Sequence, residues 1–348
     1  MVALPLPRKT PITIAYLATA MLAGAGLTYL FMRQDSAPEA ATAASSPVER
    51  PLCDYRIQRI NGYPLLRPLL FAEPACASKR FDPMMRSVSA YIDSLRNVGD
   101  LHRASVYVRE FKRGEWSVYN DTAHFDPGSM LKLPIMMTYL RKVQFEPGLL
   151  DRTLVVEPVV VEQATVDPLH PPTAPVQVGE KRTVRDLLER MIEGSDNQAT
   201  ATLMNHIDVH MFQRVFTDLG CTMPLMNMRQ YRMTAREWSV FLKALYNGAY
   251  LGIDRSQLAM EWLTQSRFSK GMVAGLPPGT RIAHKFGEIG ASGDIQAQLH
   301  EGGIIFDQRG DHMVVIMTGG PDATKLPAIV AGIMRRVQHG FDLLEPSA

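Results

Sequence analysis

The chain has 348 residues, 46% of them hydrophobic, and a formal net charge of +2. That length suits one large domain or two small ones with a sizeable core. The near-neutral balance, without a long basic run, excludes an electrostatic nucleic-acid binder.

Residues 10–32 (TPITIAYLATAMLAGAGLTYLFM) carry no charge, and about 20 apolar residues suffice to cross a bilayer core. A cleaved signal has a shorter apolar region and a small-residue cleavage site. Here Arg33 follows directly, so the run reads as a retained anchor. Arg8 and Lys9 precede it, which assigns residues 1–9 to the cytoplasm and the rest to the far side of the inner membrane, as a single-pass protein with a periplasmic domain. No cysteine follows closely enough for a lipoprotein signal. Residues 33–50, rich in Ala, Ser and Pro, read as a flexible tether. An N-terminal extension covers residues 51–81 and holds Cys53 and Cys76; the third cysteine is Cys221. In an oxidising compartment one pair is expected, and Cys53 with Cys76 is favoured because they flank a short segment. A loop of about 25 residues closed this way contributes about 3 kcal/mol. The alternative is three unpaired small hydrophobes.

From residue 82 the pattern turns regular. DPMMRSVSAYIDSL places Met84, Val88, Tyr91, Ile92 and Leu95 at helical spacing. RASVYVREF alternates as a strand, a turn follows at Lys112–Glu115, and WSVYN returns as a second strand. SMLKLPIMMTYLRKV is apolar on nearly every side, as a fully buried helix would be, with Pro134 near its start where a missing N–H costs least. TVRDLLERMI opens on a T-x-x-D cap, Thr183 to Asp186. QATATLMNHI and TAREWSVFLKALYNG read as further helices. RIAHKFG, DIQAQLHEGGIIF and DHMVVIMTGG read as three strands, and LPAIVAGIMRRVQHGF as a closing amphipathic helix. Terminal strands joined into one antiparallel sheet, covered by the first and last helices, with the helical middle as a second lobe, make an α+β sandwich over residues 82–343.

Three motifs carry chemistry. Ser129-Met130-Leu131-Lys132 is the single S-x-x-K in the chain. On a helix, i and i+3 share a face, so the Lys132 amine can reach the Ser129 hydroxyl. A serine needs an adjacent base to become nucleophilic, and a lysine serves once burial and a neighbouring cation lower its pKa. Taken alone, the motif also fits a buried serine beside a snorkelling lysine. The second is Ser195-Asp196-Asn197, between two helical patterns, which by itself also fits a helix-linking turn. The third is Lys285-Phe286-Gly287 on a strand pattern. His206 and His210 have a metal-compatible i, i+4 spacing, but no third ligand is evident and no metal or cofactor is expected. His300, Trp116, Trp238 and Trp262 read as structural residues.

Together, and in this order, the motifs resemble the S-x-x-K, S-D-N and K-T-G set of class A β-lactamases and penicillin-binding proteins. FDPGSMLKLPIM, LLERMIEGSDNQATATLM and GLPPGTRIAHKFGE resemble that family's surroundings of each motif. The resemblance implies a class A β-lactamase-like fold and a serine hydrolase or acyltransferase acting through an acyl-enzyme on β-lactams or D-alanyl peptides. It implies Ser129 as nucleophile, Lys132 as its base, and Ser195 as proton relay to the leaving nitrogen. Asn197, Lys285 and Gly287 would line the substrate, with Lys285 near a substrate carboxylate. The backbone N–H groups of Ser129 and Glu288 would form the oxyanion hole. Two departures stand out. Phe286 replaces the K-T-G hydroxyl, and a phenyl ring cannot hydrogen-bond a carboxylate. The Ω-loop glutamate that activates the deacylating water has no counterpart in residues 220–233 (GCTMPLMNMRQYRM), and Glu237 lies in the following helix. The alternative is therefore a module that acylates but turns over poorly, binding peptidoglycan or sensing β-lactams.

Overall fold

The computed structural model describes residues 53–158, 170–172, 174–224, 231–291, 296–308 and 310–344. The uncharged run 10–32 and the tether 33–50 lie outside the described residues. Among those described, no helix is long and apolar enough to cross a membrane. The chain divides into Met1–Leu52 and Cys53–Ala348, and only the second unit is described.

That unit opens with an antiparallel hairpin, β1 (Tyr55–Arg59) against β2 (Leu69–Pro74). Cys53 and Cys76 are bonded at its base with Cα atoms 6.0 Å apart, within the roughly 4.4–6.8 Å such a bridge requires. Ile60, Leu70 and Phe71 enter the larger core cluster, so residues 53–81 are built into the body.

Helix α1 (Asp82–Asn97) follows, with a proline in its first turn and Met84, Val88 and Ile92 buried at helical spacing. Next come β3 (Arg103–Glu110) and β4 (Trp116–Tyr119), a 3-10 turn at Gly128–Leu131, and α2 (Lys132–Lys142). A short ladder of β5 (Thr153–Val155) and β6 (Lys181–Thr183) precedes α3 (Val184–Glu193). Thr183 caps α3 by accepting from the Asp186 N–H at 3.1 Å. Helices α4 (Asn197–Asn205), α5 (Val209–Asp218), α6 (Ala235–Tyr246) and α7 (Ile253–Thr264) complete the helical lobe. Strands β7 (Arg281–Ile289), β8 (Ala297–Phe306) and β9 (His312–Gly320) lead to α8 (Leu326–Leu344). The hairpin, the β5–β6 ladder, α5 and α7 are elements the sequence reading does not name.

The main sheet has the order β4-β3-β9-β8-β7, all antiparallel. Its strands feed two cores in alternation. Tyr107, Met313, Val315 and Met317 face the helical lobe, while Val106, Val108, Val314 and Ile316 face α1 and α8. Residues one apart point to opposite faces of a strand, so a sheet buried on both sides reads as continuously apolar. The fold is α+β, with one antiparallel sheet between two helical layers, and it leaves β7 as a sheet edge beside the start of α2.

Candidate active site

The turn that carries Ser129 is fixed from three sides. Gly128 has φ +50, a conformation that L side chains rarely adopt. Its N–H donates to Asp126 Oδ1 at 3.0 Å. The Trp238 indole, from α6, donates to the Met130 carbonyl at 3.2 Å. Strand β7 supplies the third side. A Cβ on Gly287 would lie 2.5 Å from the Pro127 carbonyl oxygen and 2.8 Å from the Met130 nitrogen. Only a glycine there lets the strand edge approach the turn so closely. His300, on β8, accepts from the Thr318 N–H and so donates through Nε2 to the Asp126 carbonyl at 2.9 Å. Burial holds its pKa down to about 3, so it is a neutral strut.

Lys132 is the first residue of α2 and is buried. Its amine donates to the Ser195 carbonyl at 2.6 Å, to Ser195 Oγ at 3.0 Å and to Asn197 Oδ1 at 2.7 Å. Lys285, fully buried, donates to Ser195 Oγ at 3.0 Å and to the Phe286 carbonyl at 2.9 Å. Every one of these acceptors is a neutral oxygen. Burial lowers the Lys132 pKa to about 7, although the Asp196 and Glu288 charges oppose the shift. Burial, and then the nearby Lys132, lower Lys285 well below its ordinary value. Ser195 is one of two non-glycine residues with positive φ among those described, at +55, and such strain clusters at functional sites. Asp196 is structural. It caps α4 by accepting from the Gln198 and Ala199 N–H groups at 2.8 and 3.0 Å, and its second oxygen accepts from Val176 N–H at 2.9 Å. Asn197 is exposed, with its Oδ1 held by the Lys132 amine.

The structure thus gathers Lys132, Ser195, Asn197 and Lys285 around one hydroxyl, with Gly287 against the turn of Ser129. Ser129 itself is half-buried and makes no side-chain hydrogen bond among the described residues. The Lys132 amine, expected from i, i+3 spacing to meet it, is engaged by the S-D-N loop instead.

Two residues at the site have no signal in the sequence. His170 Nδ1 lies 2.9 Å from Glu288 Oε2, and the His170 N–H donates to Glu288 Oε1 at 3.3 Å. The His170 ring meets Phe268 edge-on at 4.8 Å, and Phe268 stacks on Phe286 at 4.2 Å. Phe286 is therefore buried in an aromatic stack, and the Lys285 amine sits 4.4 Å from its ring.

Carboxylates in the α4–α6 stretch are committed elsewhere. Asp208 caps α5 and pairs with Lys142, while Asp218 accepts from the Tyr250 hydroxyl. Glu237 closes a capping box on α6, taking the Thr234 N–H at 2.8 Å while Thr234 takes its N–H. The paired histidines do not form a centre either. His206 ends α4 and lies 3.5 Å from Glu157, and no group of three metal-type side chains exists among the described residues.

A model of the β-lactamase enzyme family matches residues 88–337. No curated protein matches the chain. Among solved structures, PBP-A superposes with a TM-score of 0.64 at 17% identity, covering 77% of this chain and 99% of that one. A class A β-lactamase from Mycobacterium abscessus gives 0.62 at 20% identity, covering 74% and 99%. A PBP-A variant in an acyl-enzyme complex with penicillin G gives 0.63 at 17% identity, covering 74% and 97%. At these identities the superpositions establish the fold.

Proposed function

Since the chain belongs to the β-lactamase enzyme family, we propose that it is a serine acyl-transfer enzyme with Ser129 as nucleophile. The observation that carries this reading is the Lys132 amine, buried one turn from Ser129, held only by neutral oxygens and with its pKa lowered to about 7. Such an amine is largely unprotonated just above neutrality, which is what a general base requires. It takes the Ser129 proton as Oγ bonds to the substrate carbonyl carbon, and the resulting oxyanion is met by the Ser129 and Glu288 N–H groups. The tetrahedral intermediate collapses by breaking the bond to the leaving group. Ser195, in contact with both lysines, passes a proton to the departing atom. Water then hydrolyses the Ser129 ester.

Substrates of this reading are β-lactams or D-alanyl peptides. The penicillin G complex of the PBP-A variant supports acylation by a β-lactam on this fold. The uncharged run 10–32 supports an inner-membrane anchor with the domain at 82–343 in the periplasm. Deacylation is the slow step on this reading, since Asp208, Asp218 and Glu237 are bound up in caps and pairs and Glu288 is engaged by His170. That observation favours a second reading, a module that stays acylated and so reports on its ligand. A chromogenic β-lactam and a D-alanyl thioester, each mixed with the full chain, separate these outcomes. The account expects a burst of about one equivalent, followed by turnover about 10²–10⁴-fold slower. Sustained β-lactam turnover at the burst rate would remove the slow-deacylation reading.

A further inference from the structure

Resting on that reading, the geometry points to a preference within its substrate class: D-alanyl donors whose leaving group carries no carboxylate acylate the enzyme faster than penicillins and D-alanyl-D-alanine peptides, whose leaving side bears one, and Glu288, Phe286 and His170 set that preference. The leaving group must lie beside Ser195, because Ser195 delivers its proton. Lys285 donates to the same Ser195 hydroxyl at 3.0 Å, so β7 from Lys285 onward lines the leaving-group side of the cleft. A carboxylate there needs donors, and the site offers few.

On β7, at His170 and at the two lysines, the donors that a carboxylate would use are missing or engaged. Phe286 carries no hydroxyl to donate, and its ring is buried in a stack on Phe268 at 4.2 Å. The Lys285 amine is fully buried and already donates to Ser195 Oγ and to the Phe286 carbonyl. Lys132 spends three hydrogen bonds on Ser195 and Asn197. His170 turns its Nδ1 to Glu288. Glu288 adds a negative charge of its own. Its side chain is 13% exposed, its backbone carbonyl would be 3.0 Å from a Cβ on Gly128, and its charge is felt by both buried lysines. A like charge brought to such a place is repelled, and an ionised group left without donors loses its hydration for nothing. An uncharged amide or ester meets no such penalty.

The test uses the full chain and two thioesters of one acyl group, with leaving groups identical except that one ends in a carboxylate and the other in a carboxamide. The ratio of acylation kcat/KM, carboxamide over carboxylate, is read in the wild type, Glu288→Gln and Phe286→Thr. The wild type is expected to favour the carboxamide by at least about tenfold. Glu288→Gln should bring the ratio towards one, and Phe286→Thr, which restores a donor, should lower it independently. Equal or preferential use of the carboxylate by the wild type, or a ratio that neither substitution changes, would overturn the inference while leaving Ser129 as nucleophile. Absence of Ser129-dependent acylation by either thioester would remove the proposed function and this inference with it.

Discussion

Two lysines, Lys132 and Lys243, are buried in the helical lobe, and their partners set them apart. Lys243, on α6, lies 2.8 Å from Glu73 Oε2, and Arg109 reaches the same oxygen at 2.7 Å. Its ammonium also sits 4.3 Å from the Phe71 ring. Lys132 touches no carboxylate, only Ser195 and Asn197 oxygens. Burial lowers both, to about 8 for Lys243 and about 7 for Lys132. For Lys243 a bonded carboxylate opposes that shift, and it keeps the residue as a charged pin between the hairpin and the body. For Lys132 no bonded anion restores the proton, and the amine is left near the pH at which it can accept one. Desolvation is common to both sites, and a directly bonded carboxylate at one of them separates the charged pin from the proposed base.

Exchanging the two roles experimentally gives the largest effect. Lys132→Ala should slow acylation by about 10²–10⁴-fold, followed by stopped-flow with a fluorescent β-lactam, whereas Lys243→Met should leave that rate within a few-fold. A comparable loss in both variants would dissolve the distinction. Glu73→Ala acts on the other site. It strands Lys243 and Arg109 in the core, and breaking a buried pair in this way costs about 3–5 kcal/mol. Urea unfolding measures it, and a loss below about 1 kcal/mol would show that the pin is solvated. The smallest effect is in pH. Lys132 must be neutral to act, so the acylation rate should climb about tenfold per unit below its pKa, bend near the pKa of about 7 and flatten above it. A bend near the ordinary lysine value of 10.5 would place the base in water.

Much of the fold was legible because its signals are local. Helical spacing in DPMMRSVSAYIDSL reflects one element facing one core, and alternation along RASVYVREF reflects a strand that sends Val106 and Val108 to one core and Tyr107 to the other. The three motifs were legible for a similar reason, since each lies within a single turn or strand. The hairpin was not, because β1 turns Tyr55 and Ile57 outward to solvent, so its apolar residues mark the exposed face. The His170–Glu288 pair spans 118 positions, and no window of sequence contains it. Lys132 was expected to face Ser129, but the spacing that puts both on one turn says nothing of where a four-carbon chain ends. The role of Glu237 was legible and overlooked. Thr234-Ala235-Arg236-Glu237 carries the same capping signature as Thr183 to Asp186, which explains why that carboxylate is spent on its helix.

The central claim is that Ser129 is the one residue that becomes acylated. Intact-mass spectrometry of the full chain after incubation with penicillin, and separately with a fluorophosphonate, tests it directly. The account predicts one adduct per chain, mapped to the peptide containing Ser129 and absent from Ser129→Ala. An adduct that persists in Ser129→Ala, or that maps to Ser195, would contradict it.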